Sequence, residues 1–196
     1  MATQVVLFDA RALFPELFEV NVYKNSRTWR SSFIIPKEGE AAREIEAAII
    51  TEAKAKWPKL WEKKLRELKP QKISYPLKDG DETEYDSQHD SWILTAVRRE
   101  SQGRAAVVDR NKVPLVSLDG KESPDARSKI YSGVRCNATV EFWAQDGENQ
   151  GIRCSLINWQ FFKHSAAFGG GAPATDTALP DLGYDDEDDD DGVDLA

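Results

Sequence analysis

Between residues 134 and 163, large aromatic side chains and cations share a spacing that carries chemistry. Arg135, Trp143, Arg153, Trp159, Phe161 and Lys163 all stand at odd-numbered positions. An extended chain sends every second side chain to the same side, so these six can share one sheet face. Arg30 and Arg98, in two other strand-like segments, complete the candidate set. Flat π systems stack on bases, and guanidinium or ammonium groups attract phosphates whatever the base order. A duplex hides its base faces, so the combination suits a single strand of nucleic acid. The alternative is a second buried layer beneath a helix, since large aromatics are most often buried.

A hairpin must position this face. In residues 134–144 the even positions Val134, Cys136, Ala138, Val140, Phe142 and Ala144 are apolar, and Ile152, Cys154 and Leu156 continue the pattern after the loop 146–150. If both even sets face one core, opposed residues have an even sum and the loop holds an odd number of residues; three or five fit without a bulge. Further strands are predicted at 4–12, ended by Pro15, at 28–35, and at 91–99 and 104–109. In residues 40–57 the period changes: Ala41, Ile45, Ala48, Ile49, Ala53 and Trp57 recur every three or four residues, an amphipathic helix. Pro58 ends or kinks it, and Trp61, Leu65 and Leu68 suggest a second short helix.

Charge is unevenly divided. The chain has 196 residues with 26 Lys and Arg against 34 Asp and Glu, a net of -8. Residues 172–196 hold ten of the acids and no base, so residues 1–171 carry 26 bases against 24 acids, a net of +2. Residues 54–72 hold eight Lys and Arg against two Glu, which reads either as a solvated helix face or as a flank attractive to phosphates. With 19 aromatics the body can bury a core. No run of 18 apolar residues predicts a membrane span. Two cysteines without a CxxC pair and two histidines predict neither a disulfide framework nor a zinc site. The carboxylates Asp79, Asp81 and Glu82 raise a magnesium nuclease as a third-ranked reading, because a cluster in one loop lacks fixed partners.

After Lys163 comes the Gly-, Ala- and Pro-rich stretch 169–175, then the unbroken acidic run Asp185, Asp186, Glu187, Asp188, Asp189, Asp190 and Asp191. Self-repulsion predicts disorder there. Such a tail can mimic a phosphate backbone in the chain's own groove, and it can dock on a partner protein.

The order of Ser32-Phe33-Ile34-Ile35-Pro36-Lys37, Lys54-Ala55-Lys56-Trp57, Pro76-Leu77-Lys78-Asp79-Gly80-Asp81-Glu82, Val107-Val108-Asp109 and Tyr131-Ser132-Gly133 before the terminal hairpin resembles the bacteriophage single-stranded DNA-binding proteins that have an OB-fold and an acidic C-terminal tail. The resemblance implies a mainly β protein with α elaborations: a five-stranded OB-fold barrel with an inserted amphipathic helical region and a disordered acidic tail. It also implies a non-enzymatic protein that coats single-stranded DNA in replication or recombination, in the cytoplasm of an infected bacterium, with no cofactor. The expected division is 1–168 for the DNA-binding domain, 169–184 for a linker and 185–196 for the tail, which is expected to compete for the groove and recruit replication or recombination proteins. The runner-up is an interaction module whose tail mimics DNA to occupy a nucleic-acid-binding partner.

Overall fold

The computed structural model describes residues 2–24, 26–71 and 74–168; the expected linker and acidic tail lie outside them. In chain order the strands are β1 Thr3–Tyr23, β2 Ser26–Pro36, β3 Leu77–Asp79, β4 Ser91–Arg99, β5 Ala106–Val108, β6 Pro114–Val116, β7 Arg135–Gln145 and β8 Gly151–Lys163. Helices α1 Glu40–Lys56 and α2 Trp61–Leu68 lie between β2 and β3, and the short α3 Ala126–Lys129 precedes β7.

Five strands close a barrel. β1 pairs with β2 and with β7, β2 pairs with β4, and β7 pairs with β8, all antiparallel. β4 and β8 then meet in parallel, Val97 opposite Ser155, which completes the ring. This is the expected OB-type barrel. β3 extends the β4 edge, and β5 with β6 extends the β8 edge. Helix α1 forms because Ala, Glu and Ile dominate it and its apolar residues repeat at helical spacing. Its buried face, Ala42, Ile45, Ala48, Ile49 and Ala53, joins Leu7, Phe33, Val140 and Phe142 in one core. Each buried Ile adds about 1.5 to 3 kcal/mol of transfer free energy. Among the described residues no helix is long and apolar enough to cross a membrane.

Three irregularities decide which side chains face outward. Pro15 does not end the first strand; β1 continues to Tyr23, with its register to β2 shifted between Leu13 and Glu16 and Phe14 at φ 47°. A proline is tolerated there because the ladder is already broken. A second shift at Asp9, φ 50°, inverts the alternation, so that Val5 and Leu7 before it and Ala10 and Ala12 after it are buried.

The third lies in the hairpin. Gln145 pairs with Gly151 around a five-residue loop, as parity requires, and the even residues Val140, Phe142, Ile152, Cys154 and Leu156 are buried. Val140 pairs with Leu156, however, while Thr139 pairs with Asn158, so Ile157 is an extra residue. Beyond it the odd positions of β8 turn inward: Trp159 is 0% exposed and Phe161 6%. The expected placement of these two on the outer face is therefore corrected by a bulge that alternation cannot reveal. A second shift beyond Phe161 returns Lys163 to the outside, opposite Arg135.

Because Trp159 fills the core, Trp159→Ala should lower stability by about 3 to 5 kcal/mol, read as a falling midpoint in urea unfolding. A loss under about 1 kcal/mol would contradict its burial.

Candidate nucleic-acid interface

On either side of the Val97–Ser155 pair, β4 and β8 diverge. Residues 74–76 fill the gap: the Thr95 N–H donates to Pro76 O (3.1 Å) and the Ile152 N–H to Ser74 O (2.9 Å). A Cβ on Gly151 would stand 2.5 Å from Ser74 O, so only glycine lets this segment approach. Over the seam lies a cleft of about 510 Å³. Thr28, Val97 and Arg99 line one side, Trp143 and Arg153 the other, and Tyr75 and Lys78 one end.

Its side chains are held by their strands. Trp143 is half-buried on the outer face of β7, directly opposite Arg153, and its indole Nε1–H donates to Ser155 Oγ at 3.0 Å. That bond fixes the ring plane. The Arg153 Nη2–H donates to Asn149 O at 3.0 Å. Burial, and then the charge of Arg99, lower the Arg153 pKa. Arg99 and Arg153 thus bring two positive charges to the lining of one cleft, an arrangement that attracts an anion. Arg99 pairs across the strands with Thr28, and Lys78 is exposed on β3. The cleft runs on into a depression lined by Tyr23, Lys24, Arg27 and Glu100, where Tyr23 is 69% exposed and Arg27 is paired with Glu100.

The structure brings only two of the eight predicted residues, Trp143 and Arg153, into this cleft. Arg30 lies on the same outer face as Thr28 but is held by Glu16 through two bonds of 2.7 Å, which raise its pKa. Arg98 shares a side with Leu94 and Ala96 and donates to Gln102 O (2.8 Å) and Gly103 O (3.0 Å). Arg135 and Lys163 converge on Asp9, at 3.6 and 3.2 Å. Eight residues of extended chain, about 27 Å, separate Arg135 from Trp143. Trp159 and Phe161, being buried, present no face to a ligand.

Sequence reasoning missed Arg99, Lys78 and Tyr23. A signal for Arg99 existed, since it shares the parity of Thr95 and Val97 while the opposite parity holds the buried Leu94 and Ala96. The basic helical stretch is partly tied down: Lys54 Nζ lies 4.7 Å from the Trp61 ring centre, and the Lys64 ammonium donates to Gln150 Oε1 at 3.0 Å. Asp79 and Asp81 both clasp Lys37 Nζ at 2.6 Å, and the Asp90 N–H donates to Asp81 Oδ1. Hydrogen bonding from Lys37 lowers both carboxyl pKa values, so these acids brace a loop.

The family profile described as Enterobacter phage Enc34, ssDNA-binding protein, matches residues 3–192. The chain belongs to this Enc34 family. It is also 34% identical over 183 residues to protein p50 of Acyrthosiphon pisum secondary endosymbiont phage 1, covering 91% of this chain and 94% of that one. Its fold is that of the single-stranded DNA-binding protein of bacteriophage Enc34 solved in complex with ssDNA, with TM-score 0.67, 18% identity, and coverage of 85% of this chain and 89% of that one. A single-stranded DNA-binding protein encoded by bacteriophage T7 is similar at TM-score 0.52 and 12% identity, over 94% of this chain and 98% of that one. The Enc34 family is described by binding and not by a catalysed reaction.

In this family member Tyr75 forms the buried end of the cleft, and burial, aided by Glu46, pushes its phenol up to about 12. An unfolded tyrosine titrates near 10. Between these values the unfolded chain has lost a proton that the folded chain keeps, so stability is full below pH 10 and falls as pH rises toward 12. Urea midpoints across that window should fall more steeply for the native chain than for Tyr75→Phe, by roughly 2 kcal/mol at pH 12. Parallel curves would contradict this.

Proposed function

We propose that this chain binds single-stranded DNA without sequence preference and that the strand lies in the cleft over the β4–β8 seam. One observation carries the reading: the indole of Trp143, bonded to Ser155, lines one cleft with Arg153, its cross-strand partner, and Arg99. Stacking on Trp143 and Tyr23 holds bases, while Arg99, Arg153 and Lys78 take phosphates. Neither contact distinguishes one base from another. Support comes from the Enc34 family assignment, from the related Enc34 protein solved with ssDNA, and from the general use of the strand 2–3 face by OB-folds, here β2 and β4. The setting is phage replication or recombination in the cytoplasm of the infected bacterium.

Residues 185–191 act in this scheme as a tethered competitor, at an effective concentration on the order of millimolar. DNA displaces the tail, which then recruits replication or recombination proteins.

Trp143→Ala should weaken binding of an oligonucleotide by about 1 to 3 kcal/mol with the urea midpoint unchanged. Arg99→Gln should flatten the plot of log affinity against log salt by about 0.7, one phosphate contact. Unaltered binding in both variants would remove the cleft as the site, and a body without its tail that binds no oligonucleotide would favour the interaction-module reading. Truncation after Gly171 should tighten binding; equal or weaker affinity would rule out competition by the tail.

A further inference from the structure

Three apolar side chains are buried although they point away from the barrel interior. Leu13, Ile34 and Ile93, on β1, β2 and β4, form a small cluster separate from the main core. Ile34 and Ile93 are paired across the strands, and they end a row on the outer face of β2 and β4. The row begins with Thr28 opposite Arg99 in the cleft and runs through Arg30 with Val97 and Ser32 with Thr95. Six residues, about 20 Å, separate its two ends.

Phe168 covers this cluster. Residues 164–168, after β8, lie as a strap across the barrel. The Tyr131 hydroxyl donates to Ser165 O (2.9 Å), the Arg11 Nη2–H to Ala166 O (2.7 Å) and the Phe168 N–H to Ser132 O (2.9 Å). Gly133, at φ 103°, leaves room for it, since a Cβ there would stand 2.4 Å from Ala166 O. The Arg11 guanidinium carbon lies 3.9 Å from the Phe168 ring centre, so the ring is sandwiched between an apolar floor and a cation. Among the described residues no carboxylate lies within 4 Å of Arg11; its guanidinium donates to the carbonyls of Gly133 and Ala166.

We propose that Phe168 occupies a nucleotide subsite at the far end of the cleft and that a base of the bound strand takes its place. The inference rests on the single-stranded DNA reading above. A nucleobase is as flat as the phenyl ring and stacks on the same floor, and it brings what Phe168 lacks, a phosphate for Arg11. The phenyl ring is half-buried and its residue is held by one main-chain hydrogen bond; exchange gives up that bond, while the stacking floor and the Arg11 contact pass to the incoming base. The acidic run begins 17 residues beyond Phe168, so filling the subsite also frees the root of the tail.

The test uses the full chain with oligonucleotides of about four and about twelve nucleotides, both within the OB-fold range. Hydrogen exchange of the Phe168 amide should quicken about tenfold or more with the longer oligonucleotide and stay unchanged with the shorter. Phe168→Ala should bind the longer one about fivefold or more tighter, with equal affinity for the shorter. Exchange that is unchanged or slowed by the longer oligonucleotide, or equal affinity of the variant for it, overturns the proposal and makes the strap a fixed part of the fold. The exchange measurement needs no variant, so it decides even if Phe168→Ala is unstable. If neither oligonucleotide binds the native chain, the function reading itself fails and the subsite with it.

Discussion

The barrel closes through one residue pair, Val97 opposite Ser155, and the cleft exists because β4 and β8 pair nowhere else. Every other barrel contact is an antiparallel ladder of several pairs. Where two strands splay, their main-chain groups need other partners or stay costly. Residues 74–76 supply them, bonding to Thr95 on one side and Ile152 on the other. The result is a channel floored by main chain and small side chains, with Arg99, Lys78, Trp143 and Arg153 on its rims. A flat ring can approach such a floor closely, and cations on the rims face whatever enters.

Pairing also decides how far the molecule can be read from its sequence. The helix at 40–57 and the hairpin around 146–150 were legible, because 3.6-residue periodicity and strict alternation each run uninterrupted for several turns or pairs. Trp143 and Arg153 were legible for the same reason, both lying on the loop side of the bulge. Trp159 and Phe161 were not: the extra residue Ile157 flips every side chain after it, and nothing in the composition of 151–163 marks the place. Asp9 hides a similar flip in β1, and Pro15 suggests an end where the strand only changes register. Arg99 became meaningful only when β2, β4 and β8 were brought together, a matter of long-range register.

Local pairing refines the charge argument in the same way. The body's net charge of +2 is small, and several of its cations are already committed. Arg30 is taken by Glu16, Arg27 by Glu100, Lys37 by Asp79 and Asp81, and Lys163 by Asp9. Such exposed pairs add little stability, yet they turn those groups away from a phosphate. At the cleft the balance differs: Arg99 and Arg153 repel one another, and among the described residues no carboxylate lies within 4 Å of Arg99 or Lys78. The field that an anion meets is therefore local, and the net charge of -8 for the whole chain is no guide to it.

The proposed place of the single strand is the seam between β4 and β8. Photo-crosslinking with an oligonucleotide carrying 5-iodouracil, followed by peptide mapping, tests it most directly. A strand in the seam gives adducts at Trp143 and Tyr23, which line the cleft and its extension. Adducts confined to Phe8, 75% exposed on β1, and to Phe162 beside Lys163 would place the strand elsewhere on the outer surface of the barrel and rule out the seam.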